Sequence, residues 1–182
     1  TADRSARFIE PPSGGFFVSE SPERTTMARK TQLAVTALAV ALALIRRFEG
    51  LFRGPYLCPA GVPTIGYGAT FYEDGTRVSL HDAAITREGA EALLLWHVQA
   101  VFLPAVLKLC PSIVHETSGR IAAILDFTFN LGSGNLKAST LRKRVNAGDW
   151  AFVPTELRKW VRAGGLVLRG LTLRREAEVA QL

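Results

Sequence analysis

Three side chains in one short stretch have types and a spacing suited to acid–base chemistry. Glu49, Cys58 and Thr64 lie in RFEGLFRGPYLCPAGVPTIGYG, with eight residues between the first two and five between the last two. Glu49 follows the apolar residues Leu44, Ile45 and Phe48 and precedes a glycine. A carboxyl group held against apolar residues is disfavoured in its charged form, so it can keep its proton near neutral pH. Such a group can donate that proton to a leaving oxygen, for example the oxygen of a glycosidic bond.

Four blocks, in this order along the chain, resemble the phage-type lysozymes (endolysins) of glycoside hydrolase family 24. They are FEG, YLCPAGVPTIGYG, IAAILDFTFNLGSGNLKASTLRKRVNAGD and KWVRAGGLVLRGLTLRREAE, and together they cover about residues 40–180. The resemblance implies a two-lobed α+β fold, mainly helical, with a small N-terminal β-hairpin region. It also implies hydrolysis of the β-1,4 bond between N-acetylmuramic acid and N-acetylglucosamine in bacterial peptidoglycan, for host cell lysis by a phage or prophage.

The family's active site is a Glu, then an Asp or Cys after eight residues, then a Thr after five more, and this chain matches that spacing. By resemblance, Glu49 is the catalytic acid and Thr64 helps hold the attacking water. Cys58 stands where many relatives carry Asp. It could be a base for water, a thiolate that stabilises positive charge, or a nucleophile; the role in activating water is favoured because the family is similar to inverting hydrolases. Ala69 is a second departure, since many relatives have His there.

Two rival functions remain at this stage. A lytic transglycosylase can use one Glu as acid and then as base, and a second carboxylate is missing from the motif. A cationic wall-binding or membrane-active protein without turnover would suit the apolar N-terminal run and the basic C-terminal half. In that case the ordered spacing of Glu49, Cys58 and Thr64 would be a coincidence.

Turn and cap residues predict the elements that position the motif. Residues 55–80 combine Pro, Gly, Tyr, Thr and Val with the turn pair Asp74–Gly75, which is typical of short strands. Thr86 is expected to begin a helix that Pro104 kinks or divides. Further helices are predicted over 117–130, after a Ser139 cap, after an Asp149 cap and over 171–182. Asn130 is interpreted as structural more readily than as a substrate contact, and Trp160 as core.

The N-terminal region divides into two parts. Residues 1–26 are rich in Ser, Pro, Gly and Thr and are predicted to be a disordered extension, so the catalytic domain is placed at 27–182. The apolar run 33–45, between pairs of basic residues, is shorter than the roughly 20 residues of a membrane-spanning helix. A buried first helix, with Leu33, Ala37, Val40, Leu44 and Phe48 on one face, is favoured over a short signal-anchor. Synthesis in the host cytoplasm and action in the periplasm are expected, by holin-dependent or signal-anchor export.

Charge and cysteine content limit the partners. The formal net charge is +6 and the pI about 9.8, which favours a polyanionic partner such as the bacterial wall. No nucleic-acid-binding motif accompanies this charge, so nucleic acid is not an expected partner, and a monomer is expected. Cys58 and Cys110 are too few for a disulfide framework and are read as free thiols. Neither a metal nor an organic cofactor is implied.

Overall fold

A computed structural model describes residues 22–182 and shows a mainly helical α+β fold. A 28-residue helix leads into a β-hairpin, and a series of shorter helices follows it. The elements are α1 Pro22–Glu49, β1 Phe52–Leu57, β2 Pro63–Gly66, α2 Arg87–Trp96, a π-helical segment His97–Phe102, α3 Leu103–Leu109, a 3-10 segment Pro111–His115, α4 Ser118–Leu131, α5 Ser133–Ala138, α6 Thr140–Asn146, α7 Val153–Arg158, β3 Arg162–Ala163, β4 Leu166–Val167 and α8 Arg169–Val179.

Helix α1 carries the glutamate of the motif at its last position. Ala37, Ala41 and Ile45 are buried in the core, and α1 packs closely along α4. The helix begins at Pro22, so the predicted start of the domain at residue 27 falls inside it. The rest of the predicted extension, residues 1–21, lies outside the described residues. Gly50 ends α1 with a positive φ of 70°, a conformation that glycine adopts without steric cost.

The predicted hairpin region follows directly. Strands β1 and β2 are antiparallel, and Tyr56 pairs with Thr64 across the ladder. Cys58 lies in the turn between them, where its amide donates to the carbonyl of Val62 at 3.1 Å. Gly61 occupies this turn with φ of 74°. The hairpin therefore places Cys58 and Thr64 on neighbouring parts of one small lobe.

Thr86 and Pro104 act as the sequence predicts. The Thr86 side chain accepts a hydrogen bond from the amide of Gly89 and begins α2. Before Pro104 the chain changes to a π-helical segment, because proline lacks an N–H and its ring clashes with the carbonyl four residues earlier. Two stretches, Thr31–Glu49 and Arg87–Leu109, are long and apolar enough to cross a membrane by length and composition alone.

Helix α4 forms the centre of the larger lobe. Every residue from 121 to 128 is buried, including the polar Asp126 and Thr128. Trp160 packs edge-on against Phe127 at 5.4 Å between ring centroids, which agrees with its interpretation as core. Helix α8 packs against α4 and brings the C-terminal arginines to it.

One local prediction needs correction, and one hairpin was not predicted. Asp149 does not cap the following helix, because its carboxylate pairs with Arg144 at 2.7 Å and α7 begins only at Val153. Gly164 and Gly165 form the turn of a second small hairpin, β3–β4. Both glycines have positive φ values, 57° and 81°, which the tight turn requires.

Candidate active site

A cleft of about 340 Å³ lies between the hairpin lobe and the helical lobe. Glu49, Cys58 and Thr64 all line it. The fold therefore brings together the three residues that the sequence motif singled out. Tyr56 lies on the hairpin side of the same cleft and Asn130 on the helical side.

The Glu49 carboxyl group has two differently placed oxygens. Its Oε1 accepts a hydrogen bond from Nη1 of Arg174 at 2.5 Å. Its Oε2 makes no hydrogen bond to any residue in 22–182. This oxygen lies close to Gly68, since a Cβ atom placed on Gly68 would be 3.8 Å from it. The side chain is 25% exposed. The carboxyl group is thus held by one oxygen and open to the cleft by the other.

The apolar environment expected for Glu49 is only part of its surroundings. Phe48 is half-buried beside it, but the nearest polar partner is a buried guanidinium. Arg174 is almost fully buried, with 4% of its side chain exposed. It also donates two parallel hydrogen bonds of 2.9 Å to the carboxylate of Asp126, which is completely buried. Burial opposes the charge of Arg174, but the hydrogen bonds and charges of Asp126 and Glu49 outweigh it, so the pKa of Arg174 is raised.

Cys58 has surroundings that stabilise a thiolate. The backbone amides of Val62 and Ala60 lower the pKa of the thiol by more than burial raises it. Thr64 is buried in β2 and its hydroxyl donates to the carbonyl of Val62 at 2.9 Å. The lone pairs of that hydroxyl remain available to accept from a water. Both cysteines are free thiols, and Cys110 is buried elsewhere in the core.

Comparisons with known proteins identify relatives of this chain. The phage lysozyme family model matches residues 46–178. The endolysin of Acyrthosiphon pisum secondary endosymbiont phage 1 is 37% identical over 145 residues, 76% of this chain and 92% of that protein. A SAR-endolysin of bacteriophage PS119 is 32% identical over 148 residues, 78% of this chain and 84% of its own length. The solved endolysin of Escherichia coli O157:H7 phage FAHEc1 superposes with a TM-score of 0.67 at 32% identity, covering 78% of this chain and 89% of that one.

The chain belongs to the phage lysozyme family. As a phage lysozyme it is a glycoside hydrolase, a lysis enzyme that acts on peptidoglycan. The cleft accordingly lies where the two lobes meet, and distant parts of the chain hold the Glu49 carboxyl group in its wall: Glu49 closes the first described helix, and its partner Arg174 belongs to the last.

Tyr56 and His97 complete the walls of the lysozyme cleft. Burial, followed by the negative charges of Glu49 and Cys58, raises the pKa of the Tyr56 phenol, so this hydroxyl stays protonated and can donate. His97 is buried at the base of the cleft with Nε2 at 2.9 Å from the carbonyl of Phe71. Its burial lowers its pKa, which favours a neutral ring. Ala69, also buried, lines the cleft as well.

No metal-binding cluster of three or more His, Cys, Asp or Glu side chains occurs in the part of the chain that the structure describes.

The sequence motif did not reveal the residues that hold Glu49. Arg174 is 125 positions away from it, so no local spacing connects the two. Asp126 did leave a signal, because it is a carboxylate within the otherwise apolar run IAAILDFTF. A buried charge is retained only with a partner, so this residue could have indicated a cation in the core, although no such cation was predicted from the sequence.

Proposed function

We propose that this lysozyme is a muramidase that cleaves the β-1,4 bond between N-acetylmuramic acid and N-acetylglucosamine by attack of water. The observation that carries the proposal is the Glu49 carboxyl group, fixed by Arg174 through one oxygen and open to the cleft through the other. Cys58 and Thr64 line the same cleft, where a water could be held. Glu49, Cys58 and Thr64 are the proposed catalytic residues.

The reaction needs one proton donor and one proton acceptor. Protonated Glu49 gives its proton to the glycosidic oxygen as the bond from that oxygen to C1 of the muramic acid breaks. The Cys58 thiolate takes a proton from water, whose oxygen forms the new bond to C1, and the Thr64 hydroxyl orients that water. The products are a reducing-end muramic acid and a free 4-hydroxyl. Transfer of the proton from the thiol to the Glu49 carboxylate through solvent restores both groups.

The decisive experiment compares Glu49→Gln with wild type on purified, dye-labelled peptidoglycan. Glutamine keeps the shape and still accepts the hydrogen bond from Arg174, but it cannot donate an acid proton. Dye release should fall at least about a hundredfold, the usual minimum for general acid catalysis. Glu88→Gln is a matched control, since Glu88 is exposed in the first turn of α2 and does not line the cleft. Near-wild-type dye release by Glu49→Gln would contradict the assignment.

A lytic transglycosylase is the second candidate, and one observation favours it. Among the described residues that line the cleft, Glu49 alone carries a carboxyl group. In that reaction the 6-hydroxyl of the muramic acid replaces water, and the product is 1,6-anhydro-muramic acid. Mass spectrometry of the digested wall distinguishes the two reactions, because the anhydro product is lighter than the hydrolytic product by one water.

For export, we propose that α1 serves first as a signal-anchor and later as the first helix of the enzyme. Support comes from the apolar stretch Thr31–Glu49 and from the relatives named SAR-endolysins. The stretch includes Glu49 itself. While it lies in the membrane, Glu49 cannot contact Arg174, so the anchored enzyme should be inactive until α1 leaves the bilayer and packs on α4.

Ala39→Lys tests this export route. Ala39 is exposed on α1, so lysine there should not disturb packing on α4. A lysine near the centre of a membrane span costs about 2.5–3.5 kcal/mol. The variant should therefore fail to lyse cells that make it, while the purified enzyme still degrades peptidoglycan. Wild-type lysis by Ala39→Lys in the absence of a holin would contradict the signal-anchor.

A further inference from the structure

Asn130 connects the cleft to the buried charges beneath it. It lies near the end of α4 and lines the cleft together with Glu49. Its Oδ1 accepts a hydrogen bond from Nη2 of Arg175 at 3.0 Å. A guanidinium has donors only, so the amide oxygen and not the amide nitrogen must face it. This contact therefore fixes which way the Asn130 amide points.

Arg175 is itself held rigidly. It is completely buried, its guanidinium lies 5.1 Å from the ring centroid of Phe127, and Nη2 also donates to Oε1 of Glu178 at 2.5 Å. Glu178 is equally buried, and this burial, with a further contribution from the nearby Asp126 carboxylate, raises the pKa of its carboxyl group. The support beneath Asn130 thus consists of interior side chains with almost no freedom to move.

The amide nitrogen of Asn130 is left without a protein partner. Nδ2 makes no hydrogen bond to any other residue of the described range 22–182, although the same side chain is anchored through its oxygen. Asn135, on the neighbouring helix α5, differs because its Nδ2 donates to the carbonyl of Leu131 at 2.7 Å. A fixed N–H donor without a protein acceptor, in the wall of a binding cleft, is suited to an acceptor on a ligand.

We propose that Asn130 is a substrate-binding residue, which donates a hydrogen bond from Nδ2 to an oxygen of the glycan, and that Arg175 is the positioning residue that orients it. The inference rests on the proposed function, since the ligand is the glycan strand that Glu49 cleaves. Peptidoglycan sugars offer hydroxyl and N-acetyl carbonyl oxygens as acceptors for such a donor. An oriented amide restricts the poses in which a sugar can occupy the cleft beside the Glu49 carboxyl group.

Two variants distinguish substrate binding by Asn130 from a purely structural role. Both remove the Nδ2 donor, but they differ in their effect on Arg175. Asn130→Asp keeps an acceptor for the guanidinium and strengthens it by charge, whereas Asn130→Ala removes the acceptor. If Nδ2 binds substrate, both should raise KM on soluble glycan fragments by about three- to tenfold with little change in kcat, as expected for one hydrogen bond. Asn135→Asp adds the same charge outside the cleft and should keep the wild-type KM.

Three outcomes would overturn the inference. Wild-type KM in both Asn130 variants would remove the substrate contact, and a defect in Asn130→Ala alone would make Asn130 a structural partner of Arg175. A defect in Asn130→Asp alone, with a shifted pH profile, would indicate a charge effect on Glu49. Glu49→Gln measured in parallel keeps the two proposals distinguishable. If that variant is inactive while the Asn130 variants bind normally, only this inference fails; if Glu49→Gln is active, the proposed function fails.

Discussion

Replacing Arg174 with methionine should destabilise the fold far more than an ordinary ion-pair loss. Methionine keeps an unbranched side chain of similar reach but removes the charge and all donors. Asp126 would then remain in the core with a charge, no exposure to solvent and both of its hydrogen bonds from Arg174 lost. Removing one partner of a buried pair costs about 3–5 kcal/mol of unfolding free energy. At about 2–4 °C per kcal/mol for a domain of this size, Tm should fall by roughly 6–20 °C.

A matched control is available on the enzyme's surface. Arg158 makes two hydrogen bonds to Glu176 at 2.7 and 2.8 Å, so the number and length of the bonds resemble those between Arg174 and Asp126. Its side chain, however, is 49% exposed and that of Glu176 is 47% exposed. Arg158→Met should therefore cost less than about 1 kcal/mol. The comparison isolates burial as the variable.

Urea denaturation followed by circular dichroism measures both losses. The double variant Arg174→Met/Asp126→Asn should recover at least about 1 kcal/mol relative to Arg174→Met, because the second change removes the stranded charge. Equal destabilisation by Arg174→Met and Arg158→Met would refute the reasoning, since the buried pair would then contribute no more than the exposed one. Failure of the double variant to recover would show that the loss comes from packing and not from charge.

The remaining predictions concern Cys58 and the N-terminus. Cys58→Asp should stay active and Cys58→Ala should lose most turnover on labelled peptidoglycan; full activity of the Ala variant would reduce Cys58 to a packing residue. The thiolate is the proposed base and the pKa of Cys58 is lowered, so wild-type activity should fall as the pH drops through that pKa. In Cys58→Asp this fall in activity should occur at lower pH, because a carboxylate is still ionised there. If activity fell at the same pH in Cys58→Asp as in wild type, Cys58 would not be the base. A chain that starts at Met27 should fold and degrade the wall in zymograms, since Ala37 is the first fully buried residue among the α1 side chains that the structure describes; loss of its activity would give residues 1–26 a structural role.

The fold and the motif could be predicted from the sequence because both depend on local patterns. Thr86, Pro104 and Ser139 act through their own backbone and side-chain chemistry, and the structure places helix boundaries at or beside each of them. Glu49 and Cys58 were recognised by their spacing. Asp149 failed as a cap because Arg144, five residues earlier, offers its carboxylate an ion pair. A residue type that often caps helices can also form other contacts, and the tertiary structure determines which contact it makes.

The support of the active site could not be predicted, because it consists of contacts between distant segments. Glu49 and Arg174 belong to the first and last helices that the structure describes, and Asp126 to the central one. The Glu49 carboxyl group, the proposed acid, can therefore reach its position beside Arg174 only after α1 and α8 have both packed on α4. If α1 first serves as the proposed signal-anchor, the anchored enzyme is inactive for a physical reason: Glu49 is kept away from Arg174, whereas the pair between Arg174 and Asp126 does not involve α1. Under that proposal, activation needs no chemical modification of the site, only the return of α1 to the helical lobe.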